Sequence, residues 1–168
     1  MKKLKYIKDN LLNFPNDINV ILHCANCQNT MGSGIAKQIK ERYPEAYEAD
    51  TRLAKTGGNK LGAFSSTSMK DTDSFFPAII NLYGQNFYGV EKRQLDYEAI
   101  YTAMSKVAHT LDQIQLFEGG NIVVGIPYKM GCDRAGGDWR IVEQMIQVVF
   151  EPYKNIDVII VELDPAKL

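Results

Sequence analysis

Three short runs, INVILH (Ile18–His23), NIVVGI (Asn121–Ile126) and IDVIIV (Ile156–Val161), are apolar almost throughout and rich in β-branched residues. A strand with one wet face alternates polar and apolar residues. A strand covered on both faces does not, and such strands belong to sheets sandwiched between helices. The segments between these runs change period. Ile35, Ile39, Tyr43 and Ala46 recur at helical spacing, with Lys37, Lys40 and Glu41 turned away. Tyr97, Ile100, Tyr101, Met104, Val107, Leu111 and Ile114 mark a long amphipathic helix that Gly119-Gly120 ends. Ile141, Val142, Met145, Ile146 and Val149 mark another, with Asp138 as its N-cap. Strands alternating with helices predict a three-layer α/β domain.

The remaining segments complete that expectation. Leu4–Ile7 reads as a strand, and Asp9–Asn16 as a turn or short helix ending near Pro15. Leu61–Met69 and Phe75–Tyr83 read as two strands around the polar break Lys70–Asp73, and Gly57-Gly58-Asn59 as a turn. No helix separates those two strands. The sheet is therefore expected to be mixed, mostly parallel, with one antiparallel pair.

The 168 residues suit a single domain over 1–168 with a full core. A formal net charge of −1 supplies no global field for nucleic acid, and the basic cluster Lys2, Lys3 and Lys5 reads as a solvated terminus. No run approaches the ~18 apolar residues of a membrane span. The start lacks the apolar stretch of a signal peptide. Three cysteines make an odd count that argues against a disulfide framework. The expectation is a cytoplasmic protein with reduced thiols, no nucleic-acid partner, no membrane partner and no implied oligomeric state.

Two loops carry the chemistry. The first, CANCQNTMGSGIA (Cys24–Ala36), follows one buried run and opens a helix. Its Cys24-x-x-Cys27 could be half a zinc site or a redox pair. Completing a metal site would need His23, His109 or Cys132, and their spacing fits no recognised pattern. The favoured reading makes these thiols small buried hydrophobes, with no metal and no cofactor. Gly32-Ser33-Gly34 ahead of a helix is a different signal. Glycines admit a ligand close to the backbone, and a helix start offers unpaired N–H groups to a phosphate. No Gly-Lys-Ser/Thr follows, and Lys37 stands where a third glycine of G-x-G-x-x-G would be. The second loop, GIPYKMGCDRAGGDW (Gly125–Trp139), repeats the layout of strand, glycine-rich loop and helix. Two such loops at strand carboxyl ends can grip a nucleotide diphosphate from both sides.

Asn26 in HCANC, then MGSGIA, then GIPYKMGCDRAGGDW resemble the macro domain family of ADP-ribose binders. The nearest likeness is to the small single-domain ADP-ribose 1''-phosphate phosphatases, a yeast-like branch with phage and bacterial members. The resemblance spans essentially the whole chain and implies a mixed sheet between helices. It implies that Asn26 contacts the distal ribose. Gly32, Ser33, Gly34 and Ile35 would form the first diphosphate loop. Gly131, Cys132, Asp133, Arg134, Ala135, Gly136 and Gly137 would form the second. The adenine-binding aspartate of the family corresponds to Lys8-Asp9-Asn10, so Asp9 or Asn10 takes that role. A branch that removes ADP-ribose from glutamate uses a lysine at a place matched here by Gln85, which argues against lysine chemistry.

Hydrolysis of a phosphate monoester needs an activated water and a stabiliser for the phosphoryl charge. Asn26, His23, Asp133 and Asp138 are the catalytic candidates. Asp133 and Asp138 flank the second loop as possible bases, and Asp138 is equally an N-cap. Arg134 can pair with phosphate oxygens, and Lys129 can neutralise phosphate charge. His23 matches a histidine proposed for the yeast-like phosphatases, and it also ends a buried strand as a core histidine would. The first expected function is hydrolysis of ADP-ribose 1''-phosphate to ADP-ribose and phosphate. The alternatives are a non-catalytic reader of ADP-ribose or ADP-ribosylated protein, or a deacylase or ADP-ribosyl hydrolase on the same scaffold.

Overall fold

The computed structural model describes residues 4–53, 60–68 and 73–168. The expected turn at Gly57-Gly58-Asn59 lies outside the described residues, as do Met69 and the first three residues of the expected break Lys70–Asp73. The strands are β1 (Lys5–Asp9), β2 (Val20–Asn26), β3 (Phe64–Ser68), β4 (Ala78–Gln85), β5 (Ile122–Pro127) and β6 (Ile156–Leu163). The helices are α1 (Gly34–Arg42), α2 (Pro44–Arg52), α3 (Tyr97–Glu118) and α4 (Trp139–Phe150). Short 3-10 turns cover Leu11–Asn13 and Pro165–Lys167.

The sheet order is β1-β6-β5-β2-β4-β3. Every pairing is parallel except β3–β4, which is antiparallel as the missing helix implied. Side-chain parity divides the core. Val20, Leu22, Ile80, Leu82, Val124 and Ile160 pack with α3 and α4 through Ile100, Met104, Val142 and Ile146. Ile21, Ile79, Ile159 and Val161 pack on the other face with Ile39 of α1 and Ala46 of α2. These are the three layers of an α/β/α sandwich.

The sequence predicts one helix running from Ile35 through Ala46, and the structure breaks it in two. Pro44 lacks an N–H and crowds the residue before it, so Tyr43 leaves the helical region at φ −130°, ψ 71°. Pro44 then serves as the first residue of α2, where its missing donor costs nothing.

The chain leaves β2 toward α1 and α2 on one face. It leaves β5 toward α4 on the other. The two neighbouring strands therefore part at their carboxyl ends and leave a crevice between their loops.

Candidate functional site

A cavity of about 690 Å³ occupies that crevice. Its volume falls within the ~300–1,000 Å³ of small-ligand sites. Ser33, Gly34, Ile35 and Ala36 line one wall. Ser33 is the N-cap of α1 by position, yet its side chain makes no capping bond. The first amides of α1 are thus the unpaired donors of a helix start, with its partial positive charge. Gly34 sits at φ +56°, and a methyl group added there or at Gly32 would meet nothing within 4 Å. The space beside these glycines is the cavity itself.

The opposite wall comes from Lys129, Met130, Gly131, Asp133, Arg134 and Ala135. Its shape is set by internal hydrogen bonds. Gly137 N–H donates to Gly131 O at 3.0 Å, and Gln94 N–H donates to Ala135 O at 2.8 Å. Lys129, Asp133 and Arg134 are exposed. Two cations against one carboxylate favour an anionic guest.

Between the walls stands Asn26, at the end of β2. Its Nδ2 donates to Thr30 Oγ1 at 2.8 Å, and its Oδ1 accepts from Gln28 N–H at 2.8 Å. A bulge places it: Ala25 pairs with Tyr83, but Asn26 pairs with Gln85. Gly84 is the extra residue. A methyl group there would lie 2.8 Å from Ile100 Cδ1 and 2.9 Å from Cys24 Sγ, so only glycine fits. Cys24 and Gln85 also line the cavity, with the Cys24 thiol 3.7 Å from Gln85 Oε1. Burial pushes that thiol up to about 12, so it stays protonated and unreactive at neutral pH.

The far end of the cavity is walled by Asn10, Leu11, Leu12, Val161 and Leu163. Of the Asp9–Asn10 alternatives, Asn10 is the cavity residue. Asp9 is outside the lining, where its carboxylate accepts from Asn10 N–H at 2.7 Å and Lys167 Nζ at 3.2 Å. The Asn10 amide bond holds that carboxyl below its ordinary range.

Several expected site residues stand elsewhere. His23 has no exposed surface and is absent from the lining, so its expected place at the ribose is corrected. Depth along the strand explains why: His23 lies one residue short of the cavity-lining Cys24, Ala25 and Asn26, and Asn81 holds its ring under α2. Asp138 also stands outside the lining. Its Oδ1 accepts from Arg140 N–H at 3.0 Å and its Oδ2 pairs with Arg140 Nη2 at 2.9 Å, so it caps α4. The arginine holds this carboxyl below its ordinary range. Cys132, Gly136 and Gly137 support the second loop from behind. The Cys132 thiol donates to Met130 O at 3.4 Å. A methyl group on Gly137 would lie 2.4 Å from Leu95 Cδ2, and one on Gly136 3.2 Å from Arg93 Cα.

The sequence reading missed Thr30, Gln38, Tyr88 and Gly89 among the lining residues. Thr30 was discoverable, since it lies within the first loop. Tyr88 and Gly89 lie between β4 and α3, and only the tertiary fold brings them to the rim.

The macro domain family model matches residues 22–146 of the chain. A protein of Mycobacterium tuberculosis named DNA ADP-ribosyl glycohydrolase is 29% identical over 150 residues, covering 86% of this chain and 38% of that protein. The chain thus spans well under half the length of that relative. The ADP-ribose 1''-phosphate phosphatase of Saccharomyces cerevisiae is 28% identical over 164 residues, covering 88% of this chain and 93% of that one. Among solved structures, the macrodomain of Mycobacterium tuberculosis DarG superposes with a TM-score of 0.73 at 26% identity, covering 96% of this chain and 98% of that one.

Proposed function

The chain belongs to the macro domain family, and on that premise we propose that it binds ADP-ribose and hydrolyses ADP-ribose 1''-phosphate to ADP-ribose and inorganic phosphate. One observation carries the binding half: two loops from neighbouring strands face each other across a single cavity with Asn26 between them. The diphosphate sits on the amide end of α1, opposite the second loop. Adenine lies at the end walled by Leu11, Leu12 and Leu163, and the distal ribose beside Asn26.

The chemistry falls to the second loop. Asp133 is the carboxylate among the cavity's lining residues. It takes a proton from water as the oxygen attacks phosphorus, and the phosphorus–oxygen bond to C1'' breaks. The leaving oxygen regains a proton, which gives ADP-ribose and phosphate. Arg134 pairs with the phosphoryl oxygens as charge develops, while Asn26 fixes the ribose hydroxyls. The test is phosphate release from ADP-ribose 1''-phosphate by the parent chain and by Asp133→Asn.

A second reading is release of ADP-ribose from a conjugated macromolecule. Tyr88 lines the cavity while 62% exposed, so the site meets solvent at a rim where a larger group can sit. The mycobacterial relative's name points the same way. Gln85 supplies no amine for lysine chemistry, which favours the phosphatase. Apart from activity, no helix among the described residues is long and apolar enough to cross a membrane.

A further inference from the structure

Beneath the first loop lies a buried ion pair that touches no part of the cavity. Lys60 is 2% exposed and Asp50 1%, with Nζ 2.9 Å from Oδ1. Burying two charges carries a desolvation cost that attraction barely offsets, and an apolar pair of like volume would serve packing as well. The positions of the bonds suggest another use. An ammonium has three donors. One goes to Asp50 Oδ1, one to Asp50 O at 3.0 Å, and the third leaves α2 to reach Asn29 Oδ1.

Asn29 lies between Asn26 and the glycines, at φ +57°, a left-handed conformation that asparagine tolerates and most residues do not. Tyr47 of α2 also holds it, donating from its hydroxyl to Asn29 O at 3.2 Å. The residue after it, Thr30, lines the cavity and accepts from Asn26 Nδ2. Behind the pair, Tyr83 donates to Asp50 Oδ1 at 2.7 Å, and Ser65 and Asn81 extend the network. The carboxylate is thereby anchored to the sheet and the ammonium to the loop.

We infer that the buried Lys60–Asp50 pair is a positioning device for the first loop: acting through Asn29, it holds the turn that presents Asn26 and Thr30 to the cavity. Both residues are positioning residues, since neither reaches a ligand. The affinity readout below rests on the ADP-ribose reading of the cavity; the exchange readout does not.

The test compares three forms of the full chain. Asp50→Leu with Lys60→Met removes both charges together and strands neither. Asn29→Gly cuts only the anchor, and glycine keeps the left-handed backbone. The third form combines all three substitutions. Thermal melting is read with hydrogen exchange at Cys27 and Gln28, whose amides donate to Asn86 O and Asn26 Oδ1. Calorimetry with ADP-ribose completes the set. The expected result is faster exchange at both amides and about tenfold weaker ADP-ribose binding in the double variant and in Asn29→Gly, with the triple form no weaker than the double. Parental exchange rates at both amides in both variants would overturn the inference, leaving the pair as packing alone. If the parent chain does not bind ADP-ribose, the functional reading fails, while exchange still decides the role of the pair. If the double variant does not fold, Asn29→Gly alone supplies both readouts.

Discussion

His23 Nε2 stands 2.5 Å from Asn81 Oδ1, its register partner across β2 and β4, with neither side chain exposed. The amide oxygen can only accept, so the ring carries its proton on Nε2. Asn81 Nδ2 completes the arrangement with Ser65 Oγ at 2.9 Å and Ala46 O at 3.0 Å. The imidazole is thus a neutral structural element on the helix α2 side of the sheet.

That placement predicts a pH dependence of stability. Burial pushes the His23 imidazole below its ordinary value. The unfolded chain takes up a proton near pH ~6.5 while the folded chain resists it. The stabilisation is therefore complete above pH ~6.5 and is lost as pH falls through the lower folded value. Melting temperatures between pH 8 and pH 5 should show the decline, and His23→Gln should flatten it. Phosphate release by His23→Gln at pH 7.5 should stay near the parental rate. A collapse of release with unchanged melting would return His23 to the chemistry.

Asp138→Ala should lower the melting temperature and spare catalysis. Its carboxylate caps α4 and pairs with Arg140, outside the cavity lining. Loss of one cap in a chain of this size corresponds to about 2–4 °C. The check is melting alongside phosphate release.

The glycines of the two loops should fail differently. Gly34→Glu costs about 1–2 kcal/mol for a side chain at a left-handed φ and abolishes ADP-ribose binding, because the new side chain enters open cavity space with a negative charge where a diphosphate belongs. Gly137→Ala instead drives a methyl group to 2.4 Å from Leu95 Cδ2 and 2.7 Å from Gly131 O. Overpacking of that kind costs about 1–3 kcal/mol, so Gly137→Ala should melt early. Chemical denaturation and calorimetry on both variants separate the two roles.

Asp133→Asn should reduce phosphate release by about 10²–10⁴-fold, the range for loss of a general base. ADP-ribose affinity should persist, since the amide keeps the shape of the loop. Single-turnover phosphate release beside calorimetry checks both halves.

Much of this was legible in the sequence, because it was local. INVILH, NIVVGI and IDVIIV became β2, β5 and β6 with ends shifted by a few residues. The family likeness rested on two contiguous loops, and a contiguous loop keeps its chemistry in order. The misplacements are of two kinds. Of the two readings of His23, burial favours the core histidine: adjacency in sequence does not show that the cavity begins one residue later, at Cys24. Gly136 and Gly137, expected as ligand contacts, make room for Arg93 and Leu95 from a distant segment. Lys60 and Asp50 carry no local signal, because isolated lysines and aspartates ordinarily stay in water. Only their meeting under the first loop removes them from water.

The most direct measurement is calorimetry of the parent chain with ADP-ribose, followed in the same preparation by release of phosphate from ADP-ribose 1''-phosphate. Saturable binding together with phosphate release is the predicted result. No binding of ADP-ribose would contradict the account at its centre, because a cavity walled by two facing loops would then have another guest.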